Sequence, residues 1–216
     1  ISRLTNYYRL FRLAGSGALK KWRNWFIGLE VRTTHLYPAR ISQLTEGCFV
    51  SDQMTIQSHK GPYDVYFQED ALRELNNQPA DSRHFIIDQT VADLYSDALD
   101  NVMKSHSVLT LEATEETKTL DKFTGYVEHL VSKGIRRNHT LVAIGGGIIQ
   151  DTTCFLAATL LRGVRWTLYP TTLLSQADSC IGSKSSINVG RTKNIVGTFT
   201  PPNKVVVTTR FLDTWQ

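Results

Sequence analysis

The sequence has few cysteines, and none of them form a paired motif. Three cysteines among 216 residues, without a Cys-x-x-Cys spacing, exclude a disulfide scaffold and a cysteine-ligated zinc site. Free thiols in a reducing cytosol are the simplest interpretation, so we expect a cytoplasmic location. The six histidines show no ligand-like spacing, and no His-Glu-x-x-His motif is present. The sequence therefore predicts no metal site built from its own residues.

Long apolar runs are also missing. The uncharged run over residues 140–150 is far shorter than the roughly 20 apolar residues that span a bilayer. No signal-peptide pattern is visible, and because the sequence begins with Ile1 we expect a processed product or a fragment. A hydrophobic content of 41% and a charged content of 20% are typical of a folded domain and exclude extensive disorder.

Positive charge is concentrated near the N-terminus. Residues 1–60 contain nine Lys or Arg against three acids, whereas residues 61–216 contain fifteen against seventeen. We interpret 1–60 as a basic, aromatic extension and 61–216 as one α/β domain. Residues 1–26 fit a helix that packs its aromatic face on the domain, which we favour, or one that contacts a membrane surface or an acidic partner. Nucleic-acid binding is not expected, because no recognition module accompanies the charge.

From residue 63 onward, short apolar runs alternate with segments of helical periodicity. The runs 63–67, 84–87, 108–111, 140–144, 165–169 and 204–208 are predicted strands. Helices are predicted at 70–76, 91–104, 119–133 and 152–161, the third with a core-facing stripe from Leu120 to Val131. Strands separated by helices indicate βαβ crossovers. The predicted fold class is a three-layer, Rossmann-like α/β domain with a mostly parallel sheet.

A glycine turn follows the most apolar of these strands. Gly145, Gly146 and Gly147 lie between strand 140–144 and a helix, where backbone N–H groups can approach a diphosphate. A tight structural turn is an alternative explanation. Asp151 either caps the helix or faces a cofactor.

Polar residues follow other strands and form a later loop. Asp88 ends one strand, and Glu115 and Lys118 follow the next, where ligands of open α/β sheets bind. Ordinary helix-start acids and solvated charges are the alternative. The loop 178–194 contains lysines and asparagines suited to phosphate and sugar hydroxyls, although a solvated loop is again the plain alternative.

Several motifs occur together in one order. GGGxxxD, RGV, PTTLLSQxDSxxGxK, an Asn at 188 and KNxxGxFxxP extend over residues 145–202. With them the chain resembles the 3-dehydroquinate synthase family of sugar-phosphate cyclases, over roughly residues 63–214. Metal-dependent glycerol-type dehydrogenases share the architecture, but the motif combination disfavours them.

The resemblance implies an N-terminal NAD-binding domain and assigns residues to it. The cofactor-binding positions are Asp88, Thr90, Glu115, Lys118, Gly145, Gly146, Gly147, Asp151, Thr171, Thr172, Lys193, Phe211, Leu212 and Thr214. The substrate-contacting, catalytic positions are Arg162, Asp178, Lys184 and Asn194. In the family, NAD transiently oxidises a ring hydroxyl of a phosphorylated sugar acid, phosphate is eliminated, and the ring reopens and closes as a carbocycle in the shikimate pathway. Family members commonly dimerise, so a homodimer is also implied.

Three departures from the family pattern bear on this assignment. Gln150 stands at a usual glycine and could narrow the diphosphate turn, and Thr90 stands at a usual Asn near the adenosine ribose. Residues 189–192, Val-Gly-Arg-Thr, replace His-Pro-Leu-Gly, which puts the identity of the substrate in doubt.

The resemblance also implies a divalent metal, zinc or cobalt, held by a helical C-terminal domain that would begin after Trp215. We therefore expect the isolated chain to bind NAD without turnover. Two alternatives remain open: a related cyclase of a heptulose 7-phosphate or glucose 6-phosphate, and a non-catalytic NAD-binding or interaction module.

Overall fold

The computed structural model describes residues 53–214. Residues 1–52, which include the basic segment 1–26 and Cys48, and residues 215–216 lie outside the described residues. The described part contains a seven-stranded sheet in the order β1-β2-β9-β6-β5-β3-β4 and a separate two-stranded β7-β8 hairpin. The strands are β1 Gln53–Ser58, β2 Gly61–Phe67, β3 Arg83–Asp88, β4 Val108–Leu111, β5 Thr140–Gly145, β6 Arg165–Pro170, β7 Ile187–Val189, β8 Thr192–Val196 and β9 Lys204–Val207.

Six strands of the large sheet run parallel, and only the β1–β2 pairing is antiparallel. Each of the six predicted strands is present, with bounds that differ by at most two residues at either end. Strand β5 is buried along nearly its whole length because the sheet continues on both sides of it and helices cover its faces. The prediction of a mostly parallel α/β sheet is confirmed.

Helices cover both faces of the sheet. They are α1 Ala71–Asn77, α2 Gln89–Leu94, α3 Asp100–Met103, α4 Leu120–Ser132 and α5 Gly147–Thr159. The chain moves across the sheet in one direction from β2 to β3 to β4, and in the other from β4 to β5 to β6. Because such crossovers are right-handed, α1–α3 lie on one face and α4 and α5 on the other. A core cluster joining α1–α3 to one face of β3 and β5 fits this arrangement, and the predicted three layers are confirmed.

The sheet begins at Gln53, inside the segment assigned to the N-terminal extension. Strand β1 pairs residue by residue with β2, from Gln53 opposite Tyr66 to Ser58 opposite Gly61. Only Met54, Ile56 and Ser58 are partly covered, since β1 is an edge strand with one solvated face. Its apolar signal is therefore too weak to separate it from an extension in the sequence.

Three helical predictions were wrong in detail. The predicted helix 152–161 begins five residues earlier, because α5 starts at Gly147 directly after the glycine turn. The predicted helix 91–104 is two short helices, because the chain turns after α2 and buries Leu99 completely in the core. In α4, Phe123 and Leu130 are buried, whereas Leu120 and Val131 are 38% and 57% exposed. The helix contacts the core through a narrower face than its apolar pattern predicted. No helix in the described range 53–214 is long and apolar enough to span a membrane.

A hydrogen-bonded pair of histidines, buried His84 and half-buried His139, lies at the end of the sheet where the parallel strands begin. Nδ1 of His139 accepts the Arg136 N–H at 3.3 Å, so the His84 Nε2–H donates to the same atom at 2.9 Å. Nδ1 of neutral His84 then accepts the Ser107 hydroxyl at 2.8 Å. Burial, with lesser contributions from His139 and two other histidines, lowers the pKa of His84 from 6.5 to about 4.

We expect His84 to make the fold sensitive to mild acid. The unfolded chain gains a proton near pH 6.5 that folded His84 gains only near pH 4, so its contribution is complete above pH 6.5 and is lost as the pH falls toward 4. The loss is on the order of 3 kcal/mol. Urea unfolding of the wild type and His84→Gln at pH 7 and pH 4.5 measures it, and an equal pH dependence in both proteins would contradict it.

Candidate functional site

A crevice forms where the sheet changes its direction of winding. The chain leaves β3 toward one edge of the sheet and leaves β5 toward the other, which makes the β3–β5 boundary a topological switch point. Ile87 pairs with Ile144 there, so Asp88 and Gly145 come next to each other at the carboxyl ends of the two strands. Open α/β sheets bind ligands at this position.

The three consecutive glycines at the end of β5 are required for different structural reasons. A Cβ on Gly145 would lie 2.4 Å from Ile149 Cγ1, and one on Gly146 would lie 2.8 Å from Thr172 Cγ2. A Cβ on Gly147, by contrast, meets no described atom within 4 Å. Gly147 begins α5, and no described side chain caps the N–H groups of its first turn. Two glycines therefore serve packing, and the third opens the helix N-terminus to an anion.

Asp88 has both of its predicted roles available in this geometry. Its Oδ1 accepts the Thr90 N–H at 3.0 Å and thereby caps α2. Burial raises the pKa of its carboxyl group. Thr90 itself is exposed in the first turn of α2. Asp88 is thus fixed at the edge of the crevice by a local cap.

A buried ammonium lies at the centre of the polar site. Lys118 is only 5% exposed, and its Nζ is 3.0 Å from Asp151 Oδ2 and 3.0 Å from Asn194 Oδ1. Glu115 Oε1 is 3.7 Å away. We call these four residues the Lys118 cluster. It brings together positions that sequence motifs placed in three separate segments.

Asp151, one of the two acids of the Lys118 cluster, is also bonded by Ser186. Asp151 lies on α5, so its carboxylate does not cap the start of that helix. It accepts the Ser186 N–H at 3.2 Å and the Ser186 hydroxyl at 3.0 Å. Ser186 was not among the predicted site residues, because nothing in the sequence distinguishes it from the other serines of the same loop.

The segment after β6 closes the crevice beside the glycine turn. The Thr171 N–H donates to the Gly145 carbonyl at 3.1 Å, and the Thr172 hydroxyl donates to Ser175 Oγ at 2.9 Å. Asp178 is half-buried in the π-helical turn Ser175–Ser179 that follows.

Gln150 has a different role from the predicted one. Its Nε2 donates to the Ser179 carbonyl at 2.7 Å, and the Ser179 hydroxyl donates to its Oε1 at 2.9 Å. The side chain is committed to the π-helical turn and does not narrow the glycine turn. Gln150 therefore ties α5 to the segment that carries Asp178.

The other predicted residues lie outside the Lys118 cluster. Lys184 and Lys193 are exposed on the polar loop and the β7-β8 hairpin. Phe211 is buried against Tyr95 with ring centroids 5.2 Å apart, and Thr214 Oγ1 is 3.0 Å from the Tyr95 hydroxyl, with Leu212 half-buried between them. Arg162 lies in the turn Leu160–Arg162 just before β6 begins, at the amino ends of the parallel strands and not at their carboxyl ends. Within this chain the structure does not bring Arg162 to the crevice.

The described residues contain no group of three or more His, Cys, Asp or Glu side chains that could hold a metal ion. The thiols of Cys154 and Cys180 are buried and unpaired within the same range, and burial raises the pKa of each.

We expect Gln150→Ala to lower the free energy of unfolding by about 1–3 kcal/mol, because it leaves the hydroxyl of Ser179 without its partner. Gln89→Ala is the matched control, since Gln89 is exposed and, within the described range, its side chain bonds only its helix neighbour Asp93. Its effect should stay within about 0.5 kcal/mol. Urea unfolding measures both variants, and equal effects would contradict the role of Gln150.

The winding order, the open helix N-terminus and the polar crevice define a Rossmann-like α/β domain with a crevice at its switch point. The chain belongs to the 3-dehydroquinate synthase family: residues 108–216 match the model for the family's N-terminal domain.

Individual relatives agree with this membership. The chain is 33% identical over 171 residues to 3-dehydroquinate synthase of Streptococcus equi subsp. equi, covering 76% of this chain and 48% of the relative. A structure of 2-deoxy-scyllo-inosose synthase complexed with carbaglucose-6-phosphate, NAD+ and Co2+ superposes with a TM-score of 0.65 at 29% identity, over 76% of this chain and 47% of that one. ValA, a 2-epi-5-epi-valiolone synthase from Streptomyces hygroscopicus with NAD+ and Zn2+, gives 0.61 at 30%, over 71% and 45%. The chain spans about half the length of these relatives.

Proposed function

We propose that this chain is the NAD-binding part of a sugar-phosphate cyclase. The observation that carries the proposal is the crevice at the β3–β5 switch point, where the open start of α5 lies beside the Lys118 cluster. NAD+ is bound in the two cyclase structures described above, which supports NAD as the ligand.

The residues present fit this cofactor. The N–H groups at Gly147 and the positive end of the α5 dipole suit a diphosphate, and Asp88 at the end of β3 suits ribose hydroxyls. Glu115 keeps an ionised carboxylate beside the crevice. The hydrogen bond from the Asn188 side-chain amide, assisted by the charges of Lys118 and Lys193, lowers the pKa of Glu115. Bound NAD would supply a reversible hydride acceptor, and the chain's own residues would orient it and the substrate hydroxyl.

We expect Gly147→Val to abolish most NAD binding without unfolding the chain. The structure has room for a Cβ at this position, and that room is where the diphosphate would lie. NAD affinity, measured by calorimetry on the 216-residue chain, should fall more than about tenfold because charge-assisted hydrogen bonds are lost.

Gly125→Val makes the same change in the exposed interior of α4, where a Cβ also meets no described atom within 4 Å. This control should bind NAD like the wild type. Retained affinity in Gly147→Val, with a wild-type circular dichroism spectrum, would refute this cofactor position.

For the whole protein we propose the 3-dehydroquinate synthase reaction, in which a heptulosonate 7-phosphate loses phosphate and closes to a carbocycle. Curated relatives with this activity support it. Lys184 and Asn194 would contact the substrate beside the cofactor, and Asp178 would do so from the π-helical turn. Residues 53–214 contain no group of side chains that could hold the divalent metal of the related structures.

A cyclase of another sugar phosphate is the second candidate, favoured by the structural likeness to 2-deoxy-scyllo-inosose synthase and ValA. The β7-β8 hairpin carries Gly190 and Arg191 at its tip, where the sequence departs from the family pattern. A non-catalytic NAD-binding module is the third candidate.

Phosphate release separates these candidates. We expect the 216-residue chain, supplied with NAD and Zn2+, to release no phosphate from a heptulosonate 7-phosphate, a heptulose 7-phosphate or glucose 6-phosphate. The full natural gene product should release it from one of them, the first on our proposal. Release from another substrate would favour the second candidate, and release from none would favour the third.

A further inference from the structure

One buried asparagine outside the predicted site touches several of its members. Asn188, in β7, is 4% exposed. Its Nδ2 donates to Glu115 Oε2 at 2.9 Å and to the Glu115 carbonyl at 3.0 Å, which uses both amide protons. Its Oδ1 accepts the Asn194 N–H at 2.8 Å, and its own N–H donates to the Lys118 carbonyl at 2.9 Å.

These bonds share a destination. Among the described residues, each side-chain hydrogen bond of Asn188 ends on Glu115 or Asn194, and its backbone N–H bonds Lys118. All three partners belong to the Lys118 cluster. A framework asparagine elsewhere in the fold behaves differently: Asn76 accepts the Asn101 and Val102 N–H groups and joins α1 to α3 without touching the cluster. The placement of Asn188 is therefore tied to the site.

Asn188 also explains an unusual backbone conformation. Asn194 has a φ of +55°, in the left-handed region that non-glycine residues rarely occupy. The bond from its N–H to Asn188 Oδ1 holds it there, and its side chain then reaches Lys118 Nζ. One asparagine thus fixes two of the three polar neighbours of the buried ammonium.

We infer that Asn188 is the positioning residue of the cofactor site, holding the Glu115 carboxylate and the Asn194 side chain around Lys118 in the arrangement that binds NAD. This inference rests on the proposed function. Asn188 acts through Glu115 and Asn194 and does not itself contact the cofactor.

Calorimetric titration of the 216-residue chain with NAD tests the inference. Asn188→Ala should weaken NAD binding about tenfold, as expected when a hydrogen bond to a charged group is lost. Asn188→Asp keeps the size and the acceptor for Asn194 but faces Glu115 with a second carboxylate, so it should weaken binding at least as much. Asn76→Ala loses two backbone contacts remote from the cluster and should bind NAD like the wild type.

A pH profile and a double-mutant cycle separate positioning from general stability. Without the Asn188 amide, the pKa of Glu115 rises toward its ordinary value of 4.5, so NAD affinity should begin to fall at a higher pH than in the wild type. Asn76→Ala should leave the profile unchanged. Asn188→Ala combined with Glu115→Gln should lose less affinity than the product of the two single losses.

Each result bears on a stated claim. Wild-type affinity and an unshifted profile in folded Asn188→Ala, or fully additive losses, would overturn the role of Asn188 alone. If neither Asn188 variant folds, unchanged affinity in Glu115→Gln, whose side chain is 42% exposed, would overturn it equally. Failure of the wild type to bind NAD would instead overturn the proposed function.

Discussion

The buried ammonium of Lys118 is the constraint on which the polar site depends. Removing such a charge from water costs several kcal/mol unless partners surround it. Here Asp151 and Asn194 supply oxygens at 3.0 Å each, and Glu115 adds a third at 3.7 Å. Loss of one partner would leave a buried charge uncompensated. The three chain segments that meet at Lys118 are therefore linked through the polar contacts of this one charge.

The rest of the crevice is arranged around this centre. Helix α5 presents both its open N-terminus and Asp151 one turn later, so the anion site and the Lys118 cluster share one rigid element. The β7-β8 hairpin is held over the crevice by Asn188, and the segment after β6 is held by Gln150. Both are neutral amides that satisfy donors and acceptors together, which suits joints between buried backbone and charged side chains.

Much of the fold could be predicted from local pattern. The apolar run 140–144 predicted β5, because burial on both faces leaves a continuous apolar signature. The glycine turn predicted a helix after it, although α5 begins at Gly147 and not at residue 152. Strand β1 was not predicted, because an edge strand with one solvated face leaves no continuous apolar signature. The break before Leu99 was not predicted either, because burial of Leu99 in the core overrode the helical periodicity. The family resemblance predicted all four residues of the Lys118 cluster as site residues, but neither the contact of Ser186 with Asp151 nor the positioning role of Asn188.

The sequence by itself determined the α/β class, the family and the residue types of the site, since these rest on periodicity and motif order along the chain. Only the tertiary structure decided which polar groups pair. Lys118 meets Asp151 and Asn194 across 33 and 76 positions, and Asn188 meets Glu115 across 73. The tertiary structure also placed Arg162 at the amino ends of the parallel strands, whereas the crevice lies at their carboxyl ends. The local sequence pattern indicates which side chains are buried. Hydrogen bonds between residues so far apart in the sequence depend on how the whole sheet folds.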